Sequence, residues 1–220
     1  MASHAAAEGA ETQTSIVIAS YGDAEWSRMA HSRAVPSAER QDAHEVVVVH
    51  QPRGNISAAR NEGAAQATGD WLCFLDADDE LDPRFLTAMA RAQRMRRQTI
   101  DGSRVLYTPA VSYVRQGRRR PAMIHREVPL TSGNWLVIGT LVSRELFNEV
   151  GGFRDWPHGL EDWDLWARIW TAGCTIIKVP RAVYIAHWNE DSKHHVLARD
   201  KRAYLDAYNR VAASHADGAA

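Results

Sequence analysis

The chain has 220 residues, 45% of them hydrophobic and 24% charged, which is enough apolar mass for one domain of ordinary size. Lys and Arg total 26 against 27 Asp and Glu, a formal net charge of -1, so no global charge marks a nucleic-acid binder and any partner must be recognised locally. No apolar run approaches the ~20 residues a spanning helix needs, and the Ala-rich start lacks the basic flank and apolar core of a signal peptide, which predicts a soluble, cytoplasmic protein.

Residues 1–13 are small and polar without a period and read as a disordered tail, as do residues 213–220 at the other end. Between them, residues 14–212 read as a single domain with no repeat and no linker. Short β-branched runs alternate with helical patterns: a strand over Ser15 to Ser20, a helix over Ala24 to Ala34, a strand over Glu45 to Val49, a helix over Ser57 to Ala67 and a strand over Trp71 to Leu75. Continuous apolar strands separated by helices predict an α/β fold, a parallel sheet with helices on both faces and ligands at the carboxyl ends of its strands. Cys73 and Cys174 lie in apolar runs without a Cys-x-x-Cys partner and read as two buried free thiols. Asp82 and Pro83 start a helix that runs to about Arg97 on the stripe Phe85, Leu86, Met89 and Ala90.

Near residue 100 the pattern changes. Val105 to Val114 and Ala122 to Val128 read as extended, joined by a polar turn over Arg115 to Arg120, which suggests a small antiparallel insertion. A helix over Ser143 to Val150 ends at Gly151-Gly152, another begins near Leu160, a strand covers Thr175 to Val179, and a last helix covers about His194 to Ala212.

Asp76, Asp78 and Asp79 follow directly on the third strand, where ligands are expected, and three such acids repel one another unless a cation or a helix dipole relieves them. Asp79 and Asp82 are read as capping and charging the next helix, leaving Asp76 and Asp78 for ligand chemistry. Two families share an apolar strand followed by Asp-x-Asp. The haloacid-dehalogenase phosphatases carry Thr or Val where Glu80 stands here. The stretch GNISAARNEGAAQATGDWLCFLDADDELDP, with NWLVIGTLVSRELFNEVGGF, GLEDWDLWARIWTAGCTIIKVP and RAVYIAHW after it, more closely resembles family 2 glycosyltransferases over roughly residues 15 to 190.

That resemblance implies the GT-A fold, with a mostly parallel, Rossmann-like central sheet, a nucleotide-sugar-binding half over residues 14–100, an acceptor-side half over 101–190 and a C-terminal helix over 193–212. It implies that Asp76 contacts the ribose of a nucleotide sugar and that Asp78 ligates Mn²⁺ or Mg²⁺. His187, after a strand-like AVYIA, is a second candidate metal ligand. The family's Asp-Asp-Gly-Ser turn is replaced here by His50-Gln51-Pro52-Arg53, so the donor-binding candidates become Ser20, Tyr21, Asp23, His50, Arg53 and Arg60.

The helix near Leu160 carries three acids with separate readings. Asp164 and Arg168 stand four apart and can pair. Glu161 and Asp162 suit the positive end of the helix dipole, but the resemblance gives them the Glu-Asp motif, with Asp162 as general base and Glu161 as its neighbour. The implied reaction is an inverting transfer of one sugar from a nucleotide-diphosphate donor, a UDP-sugar first, to a hydroxyl on a glycan, lipid or protein. A phosphatase using Asp76 and Asp78, and a binding protein without turnover, remain alternatives. Trp163, Trp166 and Trp170 recur at helical spacing and read as core, whereas Trp135 and Trp156 could stack on a sugar. His194 and His195 read as surface. The basic groups Arg91, Arg94, Arg96, Arg97 and Arg118 to Arg120 lack the interleaved aromatics of a nucleic-acid stripe and read as solvated, or as facing an acidic acceptor.

Overall fold

The computed structural model describes residues 13–96, 104–156, 159–189 and 200–216. Its first sheet is built on β1 (Thr14–Tyr21), buried along nearly its whole length because β2 (Glu45–Gln51) and β3 (Trp71–Asp76) flank it in parallel and helices cover its faces. The short β7 (Val142–Ser143) pairs antiparallel with β3, giving the order β2-β1-β3-β7. The second sheet has the order β4-β8-β5-β6, from β4 (Glu80–Leu81), β5 (Val105–Arg115), β6 (Arg118–Arg119) and β8 (Thr175–His187). One apolar cluster joins both sheets, with the Phe74 ring centroid 4.9 Å from that of Phe153 and 5.5 Å from that of Phe147.

The helices begin where the sequence supplies caps. Asp23 accepts from the Glu25 amide at 2.8 Å to start α1 (Ala24–Met29), and Asn55 accepts from the Ala58 amide at 2.8 Å to start α3 (Ile56–Gln66). The helix expected to stop at Ala34 instead continues through a π-helical turn, Ala30–Ala34, into α2 (Val35–Glu39). Pro36 comes just after the π-helical turn and, lacking an N–H, cannot donate a helical bond back into it. Asp82 caps the turn into α4 (Phe85–Arg96) as expected, accepting from the Arg84 amide at 3.3 Å. Further on, α5 (Arg144–Glu149) is capped by Ser143, α6 is Glu161–Thr171 and α7 is Lys201–Ala216.

Five expectations are corrected. Ala122 to Val128 is not a strand: Met123 alone makes a bridge, to Val111, and β5 finds its long partner in β8, to which it runs parallel. The strand expected to end at Val179 runs on to His187, because the register jump from Pro109–Val179 to Ala110–Val183 absorbs Pro180, Arg181 and Ala182 without ending the ladder. Trp163 and Trp166 are core, but Trp170, at the far end of α6, is 39% exposed. Cys73 is buried whereas Cys174 is half-buried, and burial raises its thiol to about 11. The last helix runs to Ala216, past the expected end; its expected start, with His194 and His195, and the outer part of both tails lie outside the described residues. Among the described residues no helix is long and apolar enough to cross a membrane.

The approach of α3 to β1 fixes where its polar residues emerge. A Cβ at Gly63 would stand 2.4 Å from Val17 Cγ1, inside the fully buried centre of the sheet. Gly63→Ala is therefore expected to lower unfolding free energy by about 1–3 kcal/mol in urea titrations, the range for overpacking; an unchanged midpoint would contradict this packing.

Candidate functional site

The carboxyl end of β3, the buried face of α3 and the first turn of α6 converge on one guanidinium. Arg60, only 5% exposed on α3, donates through Nη2 to Asp76 Oδ1 at 2.6 Å and through Nη1 to Glu161 Oε1 at 2.8 Å. Its guanidinium also lies 5.1 Å from the centre of the Phe153 ring. Burial alone would weaken its hold on a proton, but the charges of Asp76 and Glu161 outweigh that and push its pKa above the ordinary value.

The segment entering α6 is tied to α3 by further bonds. Ser57 Oγ donates to the Arg154 carbonyl at 2.7 Å, while Asn61 Nδ2 donates to the Phe153 carbonyl at 2.8 Å and its Oδ1 accepts from the Phe153 amide at 2.9 Å. Gly159 and Leu160 then take positive φ, 87° and 68°. The left-handed conformation is costly for a branched residue such as Leu160 and turns the chain abruptly into the helix at Glu161.

Asp162 is half-buried beside this point. Its Oδ1 accepts from the Trp163 amide at 2.8 Å and its Oδ2 from Asn134 Nδ2 at 3.1 Å. Burial, followed by repulsion from Glu161, raises its carboxyl to about 6. Asn134 is held in turn, its Oδ1 accepting from the Leu136 amide at 3.0 Å. The α6 helix is braced at its centre by buried Asp164, which accepts from Arg168 Nε at 2.9 Å, the pair expected from the spacing, and meets His215 Nε2 of α7 at 3.2 Å.

Past β3, the acids divide by role. Asp78 is 9% exposed; its Oδ2 accepts from Asn189 Nδ2 at 3.2 Å and its carbonyl from Arg33 Nη1 at 2.7 Å. Burial and then the charge of Asp76 raise its pKa. Asp79 does not cap the next helix as expected: it is buried, accepting from the Tyr184 hydroxyl at 2.8 Å and the His187 amide at 2.7 Å, so it fastens β8 to the end of β3. Burial, with the charges of Asp78 and Asp76, holds its carboxyl well above the usual range.

This crowding fits a divalent cation, whose charge would relieve the repulsion between Asp76 and Asp78. Among the described residues no group of three or more His, Cys, Asp or Glu forms a cage by itself. Such a cation would be held by one or two carboxylates and completed by phosphate oxygens, a common arrangement for Mg²⁺. The His187 ring is tied through Nε2 to Glu80 Oε2 at 2.7 Å, so metal ligation would fall to its Nδ1.

The other expected site residues separate. Ser20 is buried at the end of β1 with its hydroxyl 2.9 Å from His50 Nδ1. Tyr21 follows it, its phenol raised by burial and then by the charge of Glu161. Asp23 is occupied as the α1 cap, and Arg53 is exposed in the loop before α3. Trp135 is 4% exposed with Lys178 Nζ 5.2 Å from its ring centre, so it is a core residue and no open platform for a sugar. Trp156 packs, half-buried, against the cluster of Trp163, Ala167 and Val211. The sequence reading missed Ser57, Asn61, Asn134 and Tyr184. The alternation of AVYIA, which puts Tyr184 on an inward face, was the one signal available.

Because the carboxyl of Asp162 is raised in the folded chain, folding carries an ionisation cost that grows as pH rises from the ordinary Asp value of 3.8 to about 6 and is complete above it. Asp162→Asn is expected to raise the melting temperature at pH 8 and to leave it unchanged near pH 3; no gain at pH 8 would contradict the burial of an ionised Asp162.

A family model described as glycosyl transferase family 2 matches residues 30–151, and one described as the N-terminal domain of galactosyltransferase matches residues 135–191. The O-antigen biosynthesis protein RfbC of Myxococcus xanthus is 28% identical over 177 residues, covering 76% of this chain and 14% of that protein. The amylovoran biosynthesis glycosyltransferase AmsB of Erwinia amylovora is 47% identical over 47 residues, 21% of this chain and 16% of that one. The chain thus spans a small part of these relatives' length. TarS of S. aureus superposes with a TM-score of 0.61 at 16% identity, over 94% of this chain and 43% of that one. TarS 1-349 in complex with UDP-GlcNAc gives 0.59 at 14% identity, over 94% and 72%. The GT-A fold expected from the sequence is borne out.

Proposed function

Since the chain belongs to glycosyl transferase family 2 and is a glycosyltransferase domain, we propose that it transfers one sugar from a nucleotide-diphosphate donor to a hydroxyl acceptor, with inversion and with a divalent cation. The observation that carries this reading is the single guanidinium, Arg60, that brings the acid after β3 and the acid pair of α6 to one cleft. The UDP-GlcNAc complex of TarS supports a UDP-sugar as donor.

In this reading Asp76 and Tyr21 border the nucleoside, and Asp78 faces the diphosphate. Mn²⁺ or Mg²⁺ held by Asp78 would offset the negative charge that develops on the departing diphosphate. Asp162 takes the proton of the acceptor hydroxyl as its oxygen attacks the anomeric carbon from the side opposite the leaving group. A base near pH 6 is ionised at neutral pH yet remains a competent proton acceptor. Asn134 keeps the second carboxylate oxygen from rotating away, and Glu161, neutralised by Arg60, orients the turn. One attack by the acceptor inverts the anomeric centre without a covalent sugar-enzyme intermediate.

Measured with a UDP-sugar and a hydroxyl acceptor, Asp162→Asn is expected to cost about 10²–10⁴-fold in transfer rate while leaving donor affinity within a few-fold, and the wild-type rate should fall below about pH 6. Asp78→Ala should abolish the gain in nucleotide affinity on adding Mn²⁺. Unchanged transfer in Asp162→Asn would refute the base.

A further inference from the structure

From Gly102 to Arg126 the sequence contains six arginines and no Asp or Glu, in a chain whose net charge is -1. Five of them lie on the turn from β5 to β6 and just beyond it. Arg119 is engaged, donating to Asp82 Oδ2 at 3.2 Å and to Ser112 Oγ at 3.0 Å. Arg115, Arg118, Arg120 and Arg126 are exposed and meet no carboxylate among the described residues. The nearby acids are already taken: Glu127 by Lys178 at 2.6 Å, Glu80 by His187 and Asp82 by Arg119.

These charges share their edge with aromatic faces. The Arg115 guanidinium sits 4.5 Å from the centre of the Trp188 ring, which is 46% exposed. Tyr113, 40% exposed, stacks on His125 with centroids 6.0 Å apart, and its hydroxyl lies 2.9 Å from His125 Nε2. The Trp188 amide is bonded to the Val114 carbonyl at 2.8 Å, and the next residue, Asn189, reaches Asp78. The basic rim therefore abuts the acidic cleft directly.

We infer that this rim binds a polyanionic glycan as the acceptor, which rests on the glycosyltransferase reading and names the substrate class of that same site. A cleft in which four carboxylates, Asp76, Asp78, Glu161 and Asp162, share the single guanidinium of Arg60 is net acidic and repels an anionic polymer, and uncompensated cations at its edge offset that repulsion and steer the polymer to it. Sugar rings would pack on the exposed parts of the Trp188 and Tyr113 side chains. A lipid surface suits the rim less well, because each aromatic has one ring face already engaged, Trp188 by Arg115 and Tyr113 by His125. Nucleic acid suits it less well because the cations form one turn and no stripe.

The test uses the whole chain and its Arg115→Gln, Arg118→Gln, Arg120→Gln triple variant. Their affinities are measured for labelled oligogalacturonate, neutral dextran, a single-stranded DNA oligomer, phosphatidylglycerol vesicles, and UDP with Mn²⁺. The wild type should bind oligogalacturonate, more weakly by about tenfold or more in the variant and at high salt, with no binding of dextran and UDP affinity unchanged. Equal binding by the variant, equal binding of dextran, tighter binding of DNA or vesicles, or loss of UDP affinity in the variant would overturn the inference. A wild type that binds oligogalacturonate but not UDP would support the anionic surface while sinking the transferase reading.

Discussion

The site depends on a buried guanidinium held between two carboxylates that are distant in sequence. Removing Arg60 and its partners from water is expensive, and such pairs commonly add little net stability. What the arrangement supplies is position. A planar fork bonded at 2.6 Å to Asp76 and 2.8 Å to Glu161 fixes the end of β3 relative to the start of α6. The close seating of Gly63 on β1 and the bonds of Ser57 and Asn61 to residues 153 and 154 make α3 the rigid element through which this happens.

Around that fork the chain tolerates local costs that a purely structural sequence would avoid. Asp78, Asp79 and Asp162 are each pushed toward protonation by burial and by neighbouring acids, and Leu160 holds a left-handed backbone beside Glu161. These features cluster at the carboxyl ends of the strands. They have different consequences: Asp79 is buried and gives both oxygens to β8, which it anchors, whereas Asp162, bonded at both oxygens too, is only half-buried and can still meet a ligand.

The sequence was informative where one periodicity dominated. Continuous apolar strands, the cap at Asp82, and the acids following WLCFL placed the first sheet and half of the site. Longer-range pairing was not legible. Nothing local shows that β5 takes β8 as a parallel partner, or that the ladder survives Pro180, so Ala122 to Val128 looked like the better partner. Trp135 illustrates the same limit: its place in the expected acceptor region suggested a sugar platform, and only tertiary packing shows it enclosed. Asn134 and Asn61 act through bonds to distant segments, which leave no local pattern.

The central claim is that Arg60 and Glu161 work as one unit to set the catalytic cleft. A double-mutant cycle with Arg60→Met, Glu161→Gln and the pair, read by transfer rate and by donor affinity, measures this directly. Coupling of about 1 kcal/mol or more in the transfer rate is expected for groups in contact. Additive effects, with each substitution acting as though the other residue were absent, would contradict the account.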